Sequence, residues 1–154
     1  MRELAATAAV LGSLPFDWSL RLRLGGTNLN RFVLADCALP PLADDVQEEL
    51  AQLALRLCAT APWCAHLWEH AEREGWRCSQ APETEPARRR ALHTRIDELV
   101  GDAYGLEVDD VLWITRGEPF AKGFWRVERG LPEHERRPAR WRDTVARRGR
   151  VDQR

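Results

Sequence analysis

The side chains best equipped for chemistry in this 154-residue chain fall into two short groups. The first is Cys64, His66 and His70. Two histidines four apart share one face of a helix, and a thiolate beside two imidazoles is the beginning of a zinc donor set. The other cysteines, Cys37, Cys58 and Cys78, stand at gaps that fit no zinc ribbon or finger, and there is no Cys-x-x-Cys pair. The expectation is therefore no bound metal, and reduced thiols. The second group is Arg21, Arg23, Gly25, Gly26, Thr27, Asn28, Asn30 and Arg31. Paired glycines permit close backbone approach. Threonine and asparagine offer short donors and acceptors suited to base edges, and the guanidiniums suit phosphates. The same polar residues equally suit turns in which each bonds its own backbone, and the arginines equally suit a solvated surface.

The motifs of common enzymes are missing from the sequence. It has no Gly-x-Gly-x-x-Gly after a strand, no phosphate loop, no Gly-x-Ser-x-Gly elbow and no His-Glu-x-x-His. Asp109-Asp110 fits the start of a helix better than acid–base work.

Several elements must position these groups. Residues 2–11 read as a helix with Leu4, Ala8 and Leu11 on one face. Gly12 is its stop, and Ser13 is the N-cap of a second element with Pro15 just inside. The second element alternates as a strand would, but its Ser-Leu-Pro entry favours a helix through about Arg23. Gly25-Gly26 ends it. The apolar run Phe32-Val33-Leu34 leads to a stop at Pro40-Pro41. Asp44-Asp45 then caps a long helix with Val46, Leu50, Leu53 and Leu57 in one stripe. Pro62 opens a short helix through Ala71 that closes near Gly75, with Trp63, Trp68 and Trp76 as packing residues. Leu92, Ile96, Leu99, Val100 and Ala103 mark a further helix, with Asp97 away from its apolar face and Gly105 at its end. Val108 to Ile114 is a short helix, and 123–127 an aromatic edge strand. The fold class expected is α+β, mainly helical, with a few short strands. Residues 1–78 and 88–154 form two subregions of one domain, joined by a polar, proline-marked linker at 79–87.

Composition sets the frame. The chain is 44% hydrophobic and 31% charged, ordinary for a globular domain. No apolar run nears the roughly 18 residues of a membrane helix, and the first ten residues do not form a signal peptide. A cytoplasmic location, with no membrane partner, is the expectation. Net charge is −1, which gives no overall pull toward nucleic acid. Arginine is nevertheless dense from 126 to 154, and Lys122 is the sole lysine. That tail reads as a solvated, partly disordered end, or as a phosphate-contacting surface.

Two segments resemble the C-terminal region of adenine-N6 DNA methyltransferases of the restriction–modification and phage-defence kind. Residues 13–42 look like the end of such an enzyme's target recognition domain, and their Gly-Gly-Thr-Asn-Leu-Asn and closing Pro-Pro also resemble specificity subunits of multi-subunit restriction systems, where a proline-ended strand hands over to a long helix. Residues 88–114 are similar to the family's paired helices, through Arg95, Asp97, Leu99, Val100, Tyr104, Gly105 and Leu106. The family's catalytic Asn/Asp-Pro-Pro-Tyr/Phe motif is absent, since Leu39-Pro40-Pro41-Leu42 lacks both the amide or acid and the aromatic. The family's glycine-containing cofactor site is absent as well. The resemblance implies a bacterial DNA target-recognition or accessory module that contacts double-stranded DNA and acts beside a catalytic methyltransferase subunit. That partner would carry S-adenosylmethionine, and this chain no cofactor of its own. A helical protein-interaction module, or the remnant of a longer methyltransferase, is the alternative.

Overall fold

The computed structural model describes residues 1–24, 29–76, 81–116, 124 and 127–151. They form eight α-helices: α1 (Arg2–Leu11), α2 (Leu14–Arg23), α3 (Arg31–Ala35), α4 (Asp44–Cys58), α5 (Ala65–Arg73), α6 (Pro86–Ala103), α7 (Val108–Ile114) and α8 (Arg137–Val151). The fold is mainly helical, as expected, but among the described residues there is no strand, so the few short strands of the α+β expectation are not found. The Phe32-Val33-Leu34 run lies inside α3, because Asn30 caps that helix by accepting the Val33 amide at 2.9 Å. Of the expected aromatic strand, Gly123, Trp125 and Arg126 lie outside the described residues, and Val127 opens a turn.

Local signals fix most boundaries. Gly12 is the C-cap of α1, and Ser13 caps α2 by accepting the Phe16 amide at 3.3 Å, with Pro15 in the first turn. Once Ser13 satisfies that end and proline presets the backbone angle, alternation loses to the helix. Gly105 follows α6 at φ 69, a left-handed conformation that glycine adopts without penalty. Glu107 and Asp110 form a reciprocal capping box on α7. On α4 the expected cap is replaced. Ala43 is the N-cap and makes no side-chain bond, while Asp44 and Asp45 sit in the first turn, where their charge favours the helix dipole.

The main core lies between α1, α4 and α6. Leu50, Leu53 and Leu57 of α4 are buried there with Ala51, Ala54 and Leu55, and Val46 packs at its margin. Ile96, Leu99 and Val100 of α6 join the same cluster. From α1 it takes Ala6, Ala9 and Val10 rather than the expected Leu4 stripe. Leu4, Ala8 and Leu11 face outward. Two alanines let α1 lie close along α4, its chief neighbour, and close approach places small residues inward. Trp76 is buried as expected, and Trp68 seals α5 by donating to the Ala59 carbonyl at 2.9 Å. Trp63 does not pack; it is 79% exposed. In its 3-10 turn at Pro62–Cys64 only Cys64 packs against the core.

A second cluster joins Leu14, Val111, Ile114, Phe124 and the fully buried Trp141. Gly101 of α6 makes room for Trp141, since a Cβ there would meet the indole ring at 3.1 Å. Leu112 of α7 is exposed, beside the buried Val111 and Ile114.

No helix among the described residues is long and apolar enough to cross a membrane.

Candidate interaction surface

The residues singled out for contact surround the junction of α2 and α3. Gly25, Gly26, Thr27 and Asn28 lie outside the described residues. The other four are placed, and each is engaged. Arg21 pairs with Asp17 at 2.8 Å, one turn back, and its guanidinium lies 5.1 Å from the Phe124 ring centre. Arg23 donates to the Ser19 carbonyl at 3.1 Å and to its hydroxyl at 2.9 Å. Asn30 spends its carbonyl oxygen on the α3 cap, the local turn role open to it from the start. Arg31 lies over the Phe32 ring at 5.6 Å, within cation–π range.

α3 itself is the unusual element. Four of its five residues, Phe32, Val33, Leu34 and Ala35, are apolar, yet none is buried. Phe32 is 72% exposed, with Leu29 at 51% before it, Leu34 at 38%, and Leu39 at 52% after it. Helical spacing puts Arg31, Phe32, Leu34 and Ala35 on the outward arc, while Val33 and Cys37 turn in. The segment is held firmly at its far end. The Cys37 thiol is buried and donates to the Val33 carbonyl at 3.3 Å. Tyr104, at the end of α6, donates its hydroxyl to the Ala38 carbonyl at 2.7 Å. Burial of that phenol, with Cys37 beside it, raises its pKa, and the charge of Arg23 pulls the other way.

The arginines of the C-terminal region do something else. The solvated, partly disordered end expected there is corrected: α8 is a docked helix, and three of its cations, Arg137, Arg140 and Arg148, bond α6. Arg137 grips the fully buried Asp97 with two bonds of 2.6 and 2.7 Å. Asp97 also accepts the Leu14 amide at 2.8 Å, so one carboxyl ties α2, α6 and α8 together. Burial pushes that carboxyl up, and Arg137 and the Leu14 amide pull it back. Arg140 bonds Glu128 and Thr94 at 3.2 Å each, and also the Glu135 carbonyl. Arg148 reaches Glu98 at 2.6 Å and Asp102 at 3.0 Å. Asp97 was expected off the apolar face, and its role as anchor was missed. An Asp amid Ile96, Leu99 and Val100 is itself the signal, because a buried acid needs a cation.

The thiol and imidazole group does not converge. His66 meets the Trp63 carbonyl at 3.0 Å and His70 meets Glu74 at 3.1 Å. Cys78 lies outside the described residues. Among the described residues no three His, Cys, Asp or Glu side chains form a metal-binding group. A polar depression between α1 and α4, lined by Met1, Arg2, Glu3, Gln47 and Glu74, holds no nucleophile with a base beside it.

No protein-family model, no curated protein and no solved structure matches the chain.

Proposed function

We propose that the chain is a non-catalytic contact module that docks a companion protein through the outward face of α3 and the adjoining end of α2. One observation carries the reading: an apolar helix is fastened in place at its far end while its own side chains are left outside the core. A soluble fold gains nothing by holding a phenylalanine in water, and covering it releases about 1.5–3 kcal/mol. Aromatic and arginine side chains on an exposed apolar patch are the composition of a protein contact, whereas nucleic-acid contacts are more polar and more cationic. The companion implied by the sequence resemblance is the catalytic subunit of an adenine-specific DNA methyltransferase, which would bring S-adenosylmethionine and the transfer chemistry.

The experiment is site-specific photocrosslinking in the native host, with a benzophenone side chain at position 32 or, as control, at the exposed position 88. A discrete heterologous adduct from position 32, absent from 88, is the expected result. Equal, diffuse labelling from both sites would remove the proposal.

Duplex DNA is a second reading, favoured by Arg23 and Arg31. Neither has a carboxylate within ion-pair distance among the described residues. If both contact phosphates, Arg23→Ala with Arg31→Ala lowers duplex affinity and reduces the slope of log K against log salt by about 2. An unchanged slope would exclude them as phosphate contacts.

A further inference from the structure

The charge at the edge of an apolar contact constrains what can cover it. Around α3 that edge is set by Arg23, at the last position of α2, and Arg31, at the first position of α3, both exposed. Six other arginines of this fold are matched with acids, while Arg73, Arg89 and Arg136 bond only carbonyls. Arg21 has Asp17, Arg56 has Glu83, Arg95 has Glu49, Arg137 has Asp97, Arg140 has Glu128 and Arg148 has Glu98. Arg23 has only a carbonyl and a hydroxyl, and Arg31 the face of Phe32. Asp36, the C-cap of α3, is the one acid between residues 29 and 39. Among the described residues the N-terminal border of the patch is therefore cationic with no acid paired to it, and a basic flank laid on it would be repelled.

The patch is also the right kind for a helix. Leu29 stands just before α3, and Phe32 and Leu34 border the two edges of its outward arc, so the exposed apolar side chains run along one short segment that a partner helix can lie against. Tyr104 and Cys37 hold the segment in place beforehand, so little ordering cost falls on association. On the basis of the contact-face reading above, we propose that this surface receives an amphipathic helix of the companion protein, whose apolar stripe covers Phe32, Leu29 and Leu34 and whose flank carries carboxylates that pair with Arg23 and Arg31.

The test is a titration of the full ¹⁵N-labelled chain with three synthetic helical peptides of about five turns. They share one leucine stripe and carry glutamate, glutamine or lysine on the flanks. The glutamate peptide is expected to shift the amides of residues 29–39. It should bind about fivefold more tightly than the glutamine peptide, the effect of two exposed ion pairs, with the lysine peptide weakest. Arg23→Glu with Arg31→Glu reverses that order, and Phe32→Ser removes binding of all three, while the circular dichroism and unfolding midpoint of both variants stay at the parent values. Equal binding of the three peptides at residues 29–39 would overturn the acidic-flank inference and leave the contact face standing. Binding of none, with duplex DNA shifting the same amides, would overturn both.

Discussion

At the scale of single residues, two groups on α6, the buried Asp97 and the half-buried His93, feel the charges of α8. Asp97 is wholly buried and bonded twice by Arg137. Removing one partner of such a pair strands the other, at a cost of about 3–5 kcal/mol. Asp97→Ala should lose that much in urea unfolding, and a loss below about 1 kcal/mol would show that the pair is not a structural tie. His93 lies one turn before Asp97. Burial first, then the charges of Arg137 and Arg89, hold its imidazole down at about 4, with Glu128 opposing and Arg140 adding to the shift. The unfolded chain takes up that proton near the ordinary value of 6.5, the folded one only near 4. Falling pH therefore favours the unfolded state across this window, and the loss is complete below the folded value. Comparing wild type with His93→Gln at pH 7 and pH 4.5 isolates the effect, because the carboxylates titrate in both proteins. Wild type should lose more stability between the two values; equal losses would show that His93 is not held neutral. The Asp97 anchor was not legible in sequence, since Arg137 stands 40 positions away and periodicity carries no information about partners so distant.

At the scale of elements, the sequence carried boundaries better than faces. Ser13, Pro15, Gly105 and Val108–Ile114 marked real ends because caps and stops act within one turn. The inward face of α1 was misread for a physical reason. The helix is apolar on both sides, so periodicity cannot choose, and the choice fell to the alanines that allow close packing on α4. The apolar run at Phe32-Val33-Leu34 carried no element of its own in sequence, and it is helical because one side-chain cap from Asn30 outweighs β propensity in a five-residue segment. Packing of α6 on α8 depends on Gly101 lying against Trp141, and Gly149 brings α8 equally close to Val108 of α7. Gly101→Val forces a methyl pair toward an indole with nowhere to move, and overpacking of this kind costs about 1–3 kcal/mol. A fall in the midpoint of thermal unfolding, with blue-shifted tryptophan emission partly lost, is the expected outcome. An unchanged midpoint would mean that Trp141 has room to shift.

At the scale of the whole molecule, α1, α4, α6 and α8 build the core while α3 is fastened to it and left uncovered. The contact residues named from sequence flank that helix, but its apolar face was not among them, because a short apolar run reads as core until its exposure is known. The whole functional account depends on α3 being surplus to folding. The direct measurement is the unfolding free energy in urea of Phe32→Ser combined with Leu34→Ser, alongside wild type. The account predicts a difference within about 0.5 kcal/mol, as for any exposed site. A loss of about 3 kcal/mol or more would place both side chains inside the fold's own core and contradict it.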